Sequence, residues 1–250
     1  MCQLKSCLVL KDRVYCPDYD SHQNMLDKLG IKDDYLGASK TFVRVELLPP
    51  DGVKSLMEPL DKWTLKVDQD VTPEWWDKKA DRQRVEEAVE AWRGGHVFTE
   101  GEHVVKAVEV YAFGNATVEA WGNAIVTAHG SATVKAYGSA TVTSYDNTTV
   151  TAYDNTTVTA WGSVRVTARN SVIVTAHDSA MVEAWGSATV EAYEHATVTA
   201  NDSARVTARN SVIVKAWGSA TVEAWDSATV VYPYKNKIVY PAGWTAETHD

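Results

Sequence analysis

The chain has 250 residues, enough for one or two domains, and a formal charge of −9. Residues 1–100 carry 15 basic and 19 acidic groups and residues 101–250 carry 9 and 14, so neither part has the basic excess of a general nucleic-acid binder. No apolar run approaches the length of a membrane span, and no signal-peptide core is read near the start.

The first hundred residues do not repeat. Cys2, Cys7 and Cys16 are odd in number and contain no C-x-x-C pair, so free thiols in a reducing cytosol are expected. Cys7–Cys16 reads as two short strands around a turn at Lys11-Asp12-Arg13. Ser21 can cap a helix through Met25, Leu26 and Leu29, which Gly30 ends. A strand is expected at Thr41–Leu48 with Val43, Val45 and Leu47 on one face, and another over Trp63–Gln69. Thr72-Pro73-Glu74 then opens a helix whose apolar stripe is Val85, Ala88, Val89 and Trp92, and Gly94-Gly95 stop it. These elements make a small α+β domain, residues 1–98.

From Val110 to Val230 a valine recurs every eight residues without exception. Two residues after each valine from Val110 to Val222 stands alanine, with Ser144 the one departure. Small and apolar residues (Ala140, Val142, Ser144) alternate with variable ones (Thr141, Thr143, Tyr145). That is the period of a strand of about six residues, with one dry face and one wet face. Pairs such as Gly138-Ser139, Asp154-Asn155 and Asn170-Ser171 close the units, and their residue types tolerate positive φ, so they are corners. Like residues at like places on every strand demand a coil that stacks like on like. The expected fold is mainly β: a parallel β-solenoid over residues 99–231, about eight coils of sixteen residues, with a three-sided coil of twenty-four as the alternative. A thin Ala-Val-Ala core needs closed ends, so residues 1–98 are expected to cap one end and residues 232–250, with Pro233 and Pro241, the other.

Catalytic chemistry is not legible. Asp68, Asp70, Glu74 and Asp77 form the densest carboxylate cluster, yet Glu74 and Asp77 read as first-turn helix residues and Asp68 as a strand end. Asp33-Asp34, and Asp18 and Asp20 in the stretch before His22, match no metal loop. The seven histidines show no triad spacing, and the glycines are corners rather than a phosphate loop. No enzyme activity, cofactor or metal is expected.

What the sequence does leave over is a row of large side chains at the outward seventh position. In a two-sided coil one edge carries Phe113, His129, Tyr145, Trp161, His177, Tyr193, Arg209 and Trp225. The other carries Trp121, Tyr137, Tyr153, Arg169, Trp185, Asn201 and Trp217. The aromatic members of both rows are the candidate partner-binding residues, because exposed Trp and Tyr make interface anchors. A ladder that merely shields the corners is the structural alternative.

The units Ala136-Tyr137-Gly138-Ser139-Ala140-Thr141 and Ala152-Tyr153-Asp154-Asn155-Thr156-Thr157 resemble the octapeptide repeats of bacterial ice-nucleation proteins, which are described as two-sided solenoids. There the Thr-x-Thr rows are regular, whereas here Arg165, Ile173, Met181, Glu183, Arg205, Ile213 and Lys215 interrupt them. The repeats and the Trp-rich lead-in are also similar to octapeptide-repeat proteins of phages and prophages. That resemblance implies a bacterial cytoplasmic setting and a small acidic protein acting on a host protein. Self-assembly into larger rods, and an ice- or carbohydrate-binding surface, are the rival expectations.

Overall fold

The repeat dictates two sheets, and two sheets form. In the computed structural model, which describes residues 5–33, 38–232 and 238–239, the chain divides into two units, Met1–Val97 and Phe98–Asp250.

In the second unit consecutive octads alternate between a nine-stranded and a ten-stranded parallel sheet. Thr133 lies opposite Thr149, Val134 opposite Val150 and Ala136 opposite Ala152, so partners stand sixteen residues apart. The other sheet keeps the same offset, with Val142 opposite Val158 and Ser144 opposite Ala160. The coil is therefore two-sided and sixteen residues long, and the three-sided alternative is excluded. Strands are shorter than expected, four residues in most octads, as in Thr141–Ser144. The remaining four residues turn the corner, and the amide of Thr148 closes one such turn by donating to the Tyr145 carbonyl at 3.3 Å.

Ala140, Val142 and their counterparts from Val110 to Val222 are fully or almost fully buried and form one continuous core between the sheets, while Val108, Ala228 and Val230 at its ends are partly buried. In the nine-stranded sheet one departure from sixteen-residue pairing precedes the regular coils. Glu102–Lys106 pairs with Thr117–Trp121 at an offset of fifteen, and Ala107, just after it, takes φ 53°. Between these strands and the next, Ala107 and Val108 stand opposite the three residues 122–124, which restores the offset to sixteen where Glu109 meets Ile125. Most of the expected C-terminal cap, including Pro233, Tyr234 and Pro241, lies outside the described residues.

The first unit is an antiparallel four-stranded sheet in the order β2-β1-β3-β4, with β1 Lys5–Leu10, β2 Val14–Tyr15, β3 Phe42–Leu48 and β4 Thr64–Val67. Helix α1, His22–Leu29, begins and ends as its residues require: Ser21 Oγ accepts from the Asn24 amide, and Gly30 turns out at φ 65°. A single turn, α2 (Ala38–Thr41), precedes β3. Val43, Val45 and Leu47 are buried as expected, but so are Phe42 and Glu46, because both faces of β3 are covered.

Helix α3 differs from expectation at both ends. It spans Lys78–His96, so Thr72-Pro73 does not open it. Asp77 does, because its carboxylate accepts from the Lys79 and Ala80 amides while Asp81 accepts from the Asp77 amide, a reciprocal cap. Those two amides hold the Asp77 carboxyl below its usual range. Gly94-Gly95 fail to stop the helix. Arg93 is tied to the carbonyls of Glu58 at 2.9 Å and Leu56 at 3.2 Å, and the His96 ring bonds the Trp92 carbonyl at 2.7 Å. Tertiary anchors of this kind outweigh the intrinsic cost of about 1 kcal/mol per helical glycine.

Cys7 and Cys16 also depart from expectation: they are joined as a disulfide. The hairpin that pairs Leu8 with Tyr15 brings their Cα atoms to 4.5 Å, within bonding reach. Cys2 lies outside the described residues.

Candidate functional site

Each solenoid corner places one residue in the left-handed region. The series runs Gly114, Gly122, Gly130, Gly138, Asp146, Asp154, Gly162, Asn170, Asp178, Gly186, Glu194, Asp202, Asn210, Gly218 and Asp226. Corners stack closely: a Cβ on Gly162 would meet the Asp146 carbonyl oxygen at 3.2 Å and its amide nitrogen at 3.3 Å. Where the corner residue is acidic, its side chain reaches across to the coil before it. Asp146 accepts from the Gly130 amide at 2.9 Å, Asp178 from Gly162 at 3.0 Å and Asp202 from Gly186 at 3.0 Å. These carboxylates bond the neighbouring coil and so add a polar seam along each edge. Glu194, at φ 57°, is the corner residue whose type fits that conformation least. Its carboxylate accepts from the Asp178 amide at 3.2 Å.

Outside this seam stand the seventh-position side chains, and the sixteen-residue coil stacks their rings. On one edge Phe113, His129 and Tyr145 form a run with centroids 5.2 and 4.6 Å apart. Trp161, His177 and Tyr193 form a second run at 3.8 and 5.0 Å. Arg209 then lies over Trp225, its guanidinium carbon 5.6 Å from the ring. On the opposite edge Trp121, Tyr137 and Tyr153 stack at 4.2 and 4.8 Å with nearly parallel planes. These spacings are those of the β-ladder itself, so the backbone sets the stack.

Both histidines have an acidic corner beside them. His129 Nδ1 is 3.7 Å from Asp146 and His177 Nδ1 is 3.5 Å from Glu194, and each histidine sits between two other rings. The unit of ring, histidine, tyrosine and acid thus occurs twice on one edge. The sequence carried the signal, since His129-Gly130 and Tyr145-Asp146 recur as His177-Asp178 and Tyr193-Glu194. It becomes readable only once the sixteen-residue coil is known.

Exposure divides the candidate residues. Trp121, Trp161, Trp185, Trp217 and Trp225 are 39–42% exposed, whereas Phe113, Tyr137, Tyr145, Tyr153 and Tyr193 are half-buried against their neighbours. Burial, and then Tyr153 and Glu119, raise the Tyr137 phenol above its ordinary range. A hydrogen bond to Glu191 at 3.0 Å, followed by burial, does the same for Tyr193. Those two phenols therefore stay neutral at physiological pH, and the rings present apolar faces rather than charge.

In the first unit the carboxylates noted in the sequence scatter. Asp77 caps α3, Asp20 holds the buried Lys5 ammonium at 3.0 Å, Asp33 pairs with Arg44, and Asp18 lies 3.2 Å from His96. Asp34 lies outside the described residues. Asp68 has left the expected cluster and stands beside His22.

No family model matches this chain, and neither a curated protein nor a solved structure does.

Proposed function

We propose that the chain is a non-enzymatic binding protein that offers the aromatic edges of its solenoid to a protein partner. One observation carries this reading. Five tryptophans stand substantially exposed on a frame whose Ala-Val-Ala core is already closed without them. Burying a tryptophan removes a large apolar area from water, and such side chains anchor interfaces. The acidic corners beside them favour a partner surface in which Arg or Lys accompanies apolar residues, since a guanidinium can stack on a ring and pair with a carboxylate at once. The resemblance of the repeats to phage octapeptide proteins supports a partner among the proteins of a bacterial host, with the chain as a cytoplasmic accessory or inhibitor.

A second reading draws on a different surface. Thr127, Thr143, Thr159 and Thr175 stand opposite one another in register on the outer face of one sheet, a flat hydroxyl row suited to ordered water or sugar. Glu191 then takes the next place in that row. Thermal-hysteresis and glycan-array measurements address it directly.

The protein-binding reading is tested by oxidative footprinting. Immobilised protein captures its partner from a bacterial lysate, and tryptophan oxidation is then compared with and without the purified partner. Protection of Trp161 and Trp225, or of Trp185 and Trp217, is expected. Unchanged oxidation at all five tryptophans in a saturated complex contradicts the proposal.

A further inference from the structure

The rod is not the only place where polar groups converge. In the first unit His22, at the start of α1, meets Glu46 of β3 and Asp68, the residue after β4. One ligand atom from each lies within 4.8 Å of the others. His22 and Glu46 are 6% and 4% exposed, while Asp68 opens the group to solvent at 45%.

The imidazole defines what the group wants. Its Nε2 lies 3.2 Å from the Val45 carbonyl oxygen. A carbonyl can only accept, so Nε2 carries the hydrogen, and a neutral ring presents its lone pair at Nδ1. Nδ1 faces the Asp68 carboxylate at 3.5 Å. Two acceptors set toward each other offer a cation a pair of donors. A histidine whose far nitrogen is fixed by a backbone carbonyl is how proteins hold a metal-ligating imidazole. The buried Glu46 carboxylate supplies the third donor.

Size and charge agree. Donors about 2.0–2.2 Å from a tetrahedral Zn2+ ion stand about 3.3–3.6 Å apart. His22 Nδ1 and the Asp68 carboxylate already meet that at 3.5 Å, and the widest pair, within 4.8 Å, closes by up to about an ångström and a half through rotation of the carboxylates. Lys66 now neutralises part of the site, its ammonium 3.2 Å from Glu46 and 3.8 Å from Asp68. That side chain is 54% exposed on a flexible stem, so it can turn into water and leave two carboxylates and one imidazole.

We propose that His22, Glu46 and Asp68 form a binding site for a divalent transition-metal ion, Zn2+ foremost, with Lys66 as the internal cation that the metal displaces. One nitrogen and two carboxylate donors suit that class, and Zn2+ outranks Mn2+ and Fe2+ on such a site. The spacing hides it from the sequence, because the ligands lie at positions 22, 46 and 68 on three separate elements.

The test is a calorimetric titration of the full chain with ZnCl2 in chelator-free buffer. Wild type is expected to take up one ion at this site. His22→Ala and Asp68→Asn are each expected to weaken it by roughly tenfold to a hundredfold. Lys66→Met, which removes the competing ammonium and keeps the stem, is expected to tighten it severalfold. Circular dichroism checks folding, and because Asp68 and Lys66 are substantially exposed, their variants decide the matter even where His22→Ala unfolds. Absence of zinc binding by wild type overturns the proposal. So does zinc binding that Asp68→Asn and Lys66→Met leave unchanged, since the ion then sits on other surface histidines or carboxylates.

Discussion

Val158 is fully buried between the sheets, and Thr157 beside it points to solvent. Val158→Asp therefore places an unpaired charge in an apolar interior and is expected to cost several kcal/mol, whereas Thr157→Asp costs little. Thermal melts of the two variants check this, and equal melts would reverse the inward and outward assignment. Three inward positions break the apolar rule: Ser144, whose hydroxyl donates to the Thr159 carbonyl at 3.2 Å, and two threonines that make no such bond. Thr148 and Thr156 are fully buried, and their hydroxyls lack a hydrogen-bond partner among the described residues. Equivalent places in the next octads hold Val164 and Val172. Thr148→Val and Thr156→Val remove a buried, unsatisfied hydroxyl at nearly constant shape, so each is expected to stabilise by about 1 kcal/mol in a denaturant melt. Inward and outward faces were fully legible from the alternation around each valine. The roles of single polar residues were not: the Asp146 carboxylate bonds Gly130, sixteen residues away, and no local pattern announces that.

At the scale of the element, the coil is the unit. Deleting residues 147–162 joins Asp146 to Ser163, removes one strand from each sheet, and brings His177 to the place beside Tyr145 that Trp161 held. This shortened chain is expected to fold and to melt cooperatively, because every remaining residue keeps its place in the coil and its strand register. Deleting residues 147–158 instead puts a corner where a strand must pair, and that chain is expected to lose its β signal in circular dichroism. A folded twelve-residue deletion, or an unfolded sixteen-residue one, would contradict the coil. Repetition made this level readable, since each octad repeated the same evidence. Without repetition the reading thinned. Helix α3 takes its limits from the Asp77–Asp81 exchange and the tether of Arg93 to Leu56 and Glu58, and only the first of these is local in sequence. The Cys7–Cys16 bond likewise follows from hairpin register rather than from cysteine spacing.

At the scale of the whole molecule, one construction principle separates stability from surface. The inward residues are nearly invariant and make the core, while the edges vary among ring, cation and amide side chains on a fixed backbone spacing. The two rows of seventh-position residues were legible once two octads were taken per coil. Their division into stacked runs, and the exposure of five tryptophans, depend on how the corners stack in three dimensions. The ring runs contribute to the edges, and pairs of this kind are worth about 0.5–1.5 kcal/mol each. The exposed tryptophans leave 39–42% of their surface outside the fold, and the proposed function rests on that surface. The most direct measurement is therefore a binding titration of the captured partner with two double variants, Trp161→Ala/Trp225→Ala on one edge and Trp185→Ala/Trp217→Ala on the other. Melting temperature serves as the control. The edge that binds is expected to lose about 1–4 kcal/mol of affinity per truncated anchor, with the melt nearly unchanged. Wild-type affinity in both double variants, or affinity that falls only in step with the melt, would contradict the solenoid edge as the binding surface.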